Sequence, residues 1–274
     1  MTDRFDPHDR LLDAAFAFLL PWRAITAPLS IGIDLVPREG PALLVGNHTL
    51  YGLLDTPVLY DELRRRRGVY PRALGDHLHF RVPLWRDVLQ RCGAVDGTRE
   101  NARALLDAGA HVLVFPGGGR EVAKRKGERN KLVWQRRTGF ARLAIEAGVP
   151  IVPFAALGAE DMLDVVADAD DYLASPIGPL LKKIGRTDAL LPLVRGVGNT
   201  PLPRPARLYF RFLPPVDPSA FPSTRDKGQA AWQLRERVRG LIEGALRELE
   251  DVQREDPLRF GRPRVVGERL ARRT

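Results

Sequence analysis

Two segments of the chain carry residue types that could do chemistry. The first is Val45-Gly46-Asn47-His48-Thr49-Leu50-Tyr51-Gly52-Leu53-Leu54-Asp55, which follows a short apolar run. An imidazole titrates near pH ~6.5, so His48 can take a proton from a hydroxyl at neutral pH, and a nearby acid can hold its ring and fix the tautomer. The second is Val114-Phe115-Pro116-Gly117-Gly118-Gly119-Arg120-Glu121, again just after an apolar run. Gly117, Gly118 and Gly119 let bare backbone amides approach an anion or a developing oxyanion, and Arg120 adds charge.

Other chemistries are poorly served. Only four serines occur (Ser30, Ser175, Ser219, Ser223), and none lies in a G-x-S-x-G turn, which argues against a serine hydrolase. The single cysteine, Cys92, has no obvious base beside it and can form no internal disulfide. There is no G-x-x-x-x-G-K-[ST] loop. His77 and His79 beside Asp76 have no second ligand pair of matching spacing, so no metal is expected.

The elements that position these segments read as α/β. Ala42 to Val45, Val112 to Phe115 and Ile151 to Ala155 are short apolar runs typical of buried strands, and Arg207 to Leu213 reads as one more, at a sheet edge. Thr98 can cap a helix from Arg99 to Ala108, and GFARLAIEAG (139–148) is helical, with Gly148 at its end. Strands alternating with helices predict a mostly parallel central sheet flanked by helices. A histidine after such a strand stands where α/β sheets place their sites.

Three regions follow. Residues 1–36 read as an N-terminal helical segment, 37–222 as the α/β domain, and 223–274 as a C-terminal helix and basic tail. Leu11, Ala15, Leu19 and Leu12, Phe16, Leu20 form adjacent helical rows that Pro21 should stop, with Trp22-Arg23 next. That pattern fits an interfacial, membrane-associating helix, or else a helix packed on its own domain. Between Asp161 and Pro205 the pattern loosens into an irregular insertion or lid. From Asp226 to Glu250, Leu234, Val238, Leu241, Ala245 and Leu249 line one helical face.

The chain of 274 residues carries 43 Lys and Arg against 34 Asp and Glu, a net charge of +9 that suits anionic lipid or phosphorylated ligands. The bases cluster at Arg64 to Arg67, at Arg120 to Arg137 and in the tail. No recognisable nucleic-acid-binding motif accompanies them. No charge-free run of roughly 18 residues exists, so no ordinary transmembrane span is expected. Acids and bases alternate before Leu11, which argues against a signal peptide.

The ordered blocks Asn47-His48 with a following acid, GAVDGTR (93–99), FPGGGRE (115–121) and VPIVP (149–153) resemble the glycerolipid (lysophospholipid) acyltransferase superfamily over about residues 40 to 215. The resemblance is strongest to the diacylglycerol-acyltransferase-like branch that includes phytyl ester synthases, whose basic K-G-E-x-x-K-L stretch is here Lys126 to Leu132. It implies transfer of an acyl group from a thioester to a hydroxyl by direct attack, with His48 as general base. Asn47, Arg99, Gly117, Gly118, Gly119, Arg120 and Glu121 would then bind substrate, Arg99 taking an anionic headgroup or donor phosphate. The partners implied are a lipid acceptor, an acyl thioester donor (acyl-CoA or acyl carrier protein, with no further cofactor) and an anionic membrane surface, with no nucleic acid. The chain would lie peripherally on the inner, cytoplasmic face of the membrane. The stretch from Lys124 to Arg137 suits coenzyme A phosphates or that surface equally.

Two positions depart from the family pattern. The acid usually found five residues after the histidine is Leu53 here, and Asp55 stands seven residues on. On a straight helix Asp55 lies ~10 Å along the axis, out of hydrogen-bonding range. Either the chain bends at Gly52 and brings Asp55 back to His48, or Glu121 orients the ring. The usual glutamate of the third block is Gly117. A catalytically inactive lipid-binding member of the fold is the alternative these departures leave.

Overall fold

A computed structural model describes residues 5–6, 9–185, 187–221 and 227–260. In chain order the helix α1 (Arg10–Thr26) leads to β1 (Leu29–Ile31), β2 (Leu43–Gly46), α2 (Thr56–Arg67), β3 (Arg72–Gly75), α3 (Pro83–Arg91) and β4 (Val95–Asp96). Then come α4 (Arg99–Asp107), β5 (Val112–Val114), α5 (Gly118–Val122), α6 (Gly139–Ala147) and β6 (Ile151–Leu157). The insertion holds β7 (Asp164–Ala167), α7 (Ala169–Ala174), α8 (Gly178–Ile184) and β8 (Leu193–Arg195), and β9 (Tyr209–Phe212) and α9 (Lys227–Glu255) follow.

Seven strands form the central sheet in the order β1-β9-β6-β2-β5-β3-β4. Every neighbouring pair is parallel except β6 and β9. The central strands β2 and β6 are buried along their whole length, as strands covered on both faces must be. Alternation divides the core: Leu43 and Val45 pack with α4, α6 and α9, while Leu44 packs on the opposite face with α1 and α2. On α9, Leu234, Val238, Ala245 and Leu249 are buried as the helical spacing predicts, joined by Ile242 and Leu246. Thr98 caps α4 by accepting from the N–H of Asn101.

Some expectations change. Arg207 to Leu213 does not end the sheet, because β1 pairs with β9 outside it. Leu29–Ile31, read above with the N-terminal segment, is therefore a sheet strand, and Ile33 and Val36 beyond it are buried. Pro21 does not stop α1. The ring removes one amide donor, but Pro21 and Ala17, whose carbonyl would lose its partner, both face solvent, where water replaces the bond. α1 lies on α2 through Leu12 and Phe16, with Leu19 and Trp22 half-buried, and Trp22 Nε1 donates to the Leu54 carbonyl at 2.8 Å. Arg23 pairs with the buried carboxylates of Asp61 (2.7 Å) and Glu62. The loose insertion contains an antiparallel β7–β8 ribbon and two short helices. The tail arginines from Arg262 onward lie outside the described residues.

Candidate active site

The parallel strands β2, β5, β3, β4 and β6 all end at one edge of the sheet, so the segments after them converge there. After β2, Asn47 turns inward. Its amide donates to the Ala156 carbonyl (2.9 Å) and accepts from the Ala156 N–H (2.8 Å). Both polar ends are thus committed to β6, and Asn47 anchors the loop that presents the next residue.

That residue is His48, intermediate in exposure as a whole, whose ring stacks on Phe115 at 4.1 Å between centroids. Gly52 closes on the ring from another side. The chain does bend there, with φ of 61° at Tyr51 and 63° at Gly52. A Cβ on Gly52 would lie 2.0 Å from His48 Cε1, so the bend needs glycine both for its φ and for its closeness. Nδ1 of His48 is buried with no hydrogen-bond partner. Burial, reinforced by the charge of Lys124, pushes the imidazole down to about 3, so it is neutral at physiological pH.

The bend does not deliver Asp55 to the ring. Asp55 is buried at the start of α2 and accepts from Thr49 Oγ1 at 2.8 Å. Burial raises its carboxyl to about 6. Glu121 does not bond the imidazole either. Fully buried, it accepts the backbone N–H of His48 at one oxygen and that of Val133 at the other, each at 3.1 Å. It is pushed up to about 7 by burial, against the attraction of Lys124. A Cβ on Gly117 would fall 2.2 Å from Glu121 Oε2. Glutamate at 121 and a side chain at 117 therefore exclude one another, and the carboxylate missing from position 117 arrives from one turn later.

The glycine segment opens the short α5. The N–H of Gly118 turns back to the Phe115 carbonyl at 3.0 Å, which removes that amide from ligand binding. Arg120 is buried and held by Glu128 (Nη1 to Oε2 2.9 Å), away from any developing oxyanion. The cation beside the glycines is Arg137, whose Nη1 donates to the Pro116 carbonyl at 3.1 Å and to that of Gly117. Sequence reading placed Arg137 in the basic stretch without singling it out; only the fold of the intervening loop brings it back.

The basic stretch is largely neutralised. Lys124 is buried against Glu160 at 2.8 Å, Arg125 pairs with Asp170 (2.8 Å), Lys126 with Asp171 (2.8 Å) and Arg129 with Asp161. Arg99 is exposed and pairs with Glu146 on α6. It follows β4, three strands or roughly 14 Å from β2, and the structure does not bring it to His48. Among the described residues no cluster of His, Cys, Asp and Glu could hold a metal; His77 pairs with Asp96 instead.

The acyltransferase family model matches residues 30–156, the span that holds both segments. Over these residues the chain belongs to the acyltransferase family. It is 31% identical over 245 residues to phytyl ester synthase 1, chloroplastic, of Arabidopsis thaliana, an alignment covering 83% of this chain and 35% of that one. It is 34% identical over 122 residues to the human DGAT1/2-independent enzyme synthesizing storage lipids, covering 44% of this chain and 37% of the relative. The chain thus spans about a third of the length of these curated relatives. Among solved structures it is similar to the 1-acyl-sn-glycerophosphate acyltransferase PlsC of Thermotoga maritima, with a TM-score of 0.46, 16% identity and coverage of 89% and 83%. Within this family region the histidine block and the glycine block meet at Phe115 and Glu121, each of which touches His48.

Proposed function

We propose that the chain moves a fatty acyl group from a thioester, acyl-CoA or acyl carrier protein, to the hydroxyl of a lipid alcohol at the surface of a membrane. The observation that carries this reading is His48, neutral and partly exposed after β2, fixed between Phe115 and Gly52. The acceptor oxygen attacks the acyl carbonyl as its proton passes to His48 through Nε2, since Nδ1 is buried. The oxyanion collects beside the glycine turn, where Arg137 supplies the positive charge first expected of Arg120. Collapse of the intermediate expels the thiolate, which takes the proton back from His48.

Glu121 acts one step removed. Its carboxylate fixes the His48 backbone, and when ionised it favours the imidazolium that forms during transfer. The pairing of Lys124, Arg125, Lys126 and Arg129 with carboxylates neutralises those four cations, which favours an uncharged alcohol over a phosphorylated acceptor. The names of the relatives, a phytyl ester synthase and an enzyme of storage lipids, point the same way. Among the described residues no helix is long and apolar enough to cross a membrane, and we place the chain peripherally on the cytoplasmic face.

A second reading, an inactive lipid binder, is favoured by one observation: no carboxylate bonds Nδ1 of His48. A panel of acyl-CoA and acyl carrier protein donors against diacylglycerol, long-chain alcohols and lysophospholipids, with products identified by mass spectrometry, separates the two. Ester formation with neutral alcohols is expected. Lipid binding without any ester product would establish the second reading.

A further inference from the structure

We propose that α3 and the turn before it form a docking surface for an anionic lipid bilayer. The inference rests on the acyltransferase reading and names the face through which lipid reaches the site. An amphipathic helix ordinarily turns its apolar stripe to the core. α3 does the reverse. Leu84 is 84% exposed, Val88 50% and Trp85 42%, and Gln90 is the helix's one buried residue. Leu84 and Val88 are four apart, and Trp85 and Val88 three apart, so the three form one continuous stripe facing water.

The surroundings suit headgroups. Arg81 and Arg91 are exposed at the two ends of the segment, and Arg86 is offset by Asp87 at 3.3 Å. Trp85 Nε1 donates to His79 Nδ1 at 3.2 Å, which fixes the indole at the rim, the position aromatic rings prefer at a membrane boundary. The segment follows the end of β3, which pairs with β5, the strand that leads into the glycine turn. The segment therefore leaves the sheet at the edge that carries His48, from a strand two places from β2. A second copy of the chain is a poor occupant. The five exposed apolar side chains of the segment, Leu78, Val82, Leu84, Trp85 and Val88, still fall well short of the ~800 Å² per partner of a stable interface, and two chains of charge +9 repel. The same charge attracts anionic lipid, and a short amphipathic helix lies in the plane of such a surface.

The test uses the full chain and vesicles of phosphatidylcholine alone or mixed equally with phosphatidylglycerol. Flotation should show binding to the mixed vesicles, a loss of at least about tenfold in partition for the Leu84→Ser/Val88→Ser double variant, and a change within about twofold for Phe18→Ser on α1. A blue shift of tryptophan emission on binding should vanish in Trp85→Phe. Failure of the wild type to bind the mixed vesicles, or unchanged partition of the double variant, would overturn the proposal. So would sedimentation showing a wild-type dimer that the double variant dissolves. Turnover of detergent-dispersed substrate separates this idea from the one beneath it. Binding as expected with no turnover of any substrate defeats the acyltransferase reading alone, whereas full turnover with partition indifferent to α3 defeats the docking surface alone.

Discussion

Glu121 and Gly117 explain one another, and together they explain how His48 is held. The carboxylate reaches the His48 N–H only because position 117 has no side chain, so Gly117→Ala should push Glu121 aside and cut kcat by tenfold or more, read in a transfer assay. Gly52→Ala should act as severely by driving a methyl into the His48 ring. The pH dependence follows from burial. Glu121 titrates near 7, so kcat/KM should rise with pH through that value as its charge appears, and Glu121→Gln should lower the plateau and remove this limb. Stability runs the other way. Between its ordinary value of 4.5 and about 7 the folded chain keeps a proton on Glu121 that the unfolded chain has lost, so this group's contribution falls as pH rises. The difference in urea stability between wild type and Glu121→Gln should shift in favour of the variant as pH rises across that window. His48, at about 3, contributes the opposite slope between there and 6.5 in both proteins.

At the scale of elements, α1 is part of the domain. Leu12→Ala or Phe16→Ala should cost about 2–5 kcal/mol in denaturant unfolding, while Phe18→Ser, at 89% exposure, should stay within about 0.5 kcal/mol. Deleting residues 1–23 should destabilise the fold and not merely free it from membranes, because Asp61 and Glu62 would lose Arg23 inside the core. The strands β2, β5 and β6, the Thr98 cap and α9 were legible in the sequence because buried parallel strands are unbroken apolar runs and caps are local signals. β1, β3 and β4 were not. Their residues, LSI, RALG and VD, form no unbroken apolar run, and β3 opens with the buried Arg72, whose Nε bonds the Gly93 carbonyl at 2.9 Å. Within the site, His48 and the bend at Gly52 could be read from residue type and order. The commitments of Asn47 to Ala156, 109 residues away, of Arg120 to Glu128 and of Arg99 to Glu146 could not, since each depends on what the fold brings alongside.

Across the whole molecule, the insertion is strapped by charge to the basic stretch that follows the glycine segment, and by a hydrogen bond to Tyr51. Arg125 and Lys126 meet Asp170 and Asp171, the Lys126 N–H meets Asp168 at 2.8 Å, and Tyr51 Oη donates to the Pro192 carbonyl. Exposed ion pairs weaken with salt, so deuterium uptake in α7 should quicken as salt is raised, and Asp170→Asn/Asp171→Asn should give the same uptake at low salt. The histidine of the site lies between the bend at Gly52 and the ring of Phe115. Gly52, Phe115 and Glu121 all close on His48. The most direct measurement is therefore single-turnover acyl transfer by wild type and His48→Ala, with circular dichroism establishing that both are folded. Proton removal by a positioned base typically contributes ~10²-fold or more, so the variant should fall by at least that factor. A variant retaining more than about a tenth of the wild-type rate would contradict the role of His48 as the base.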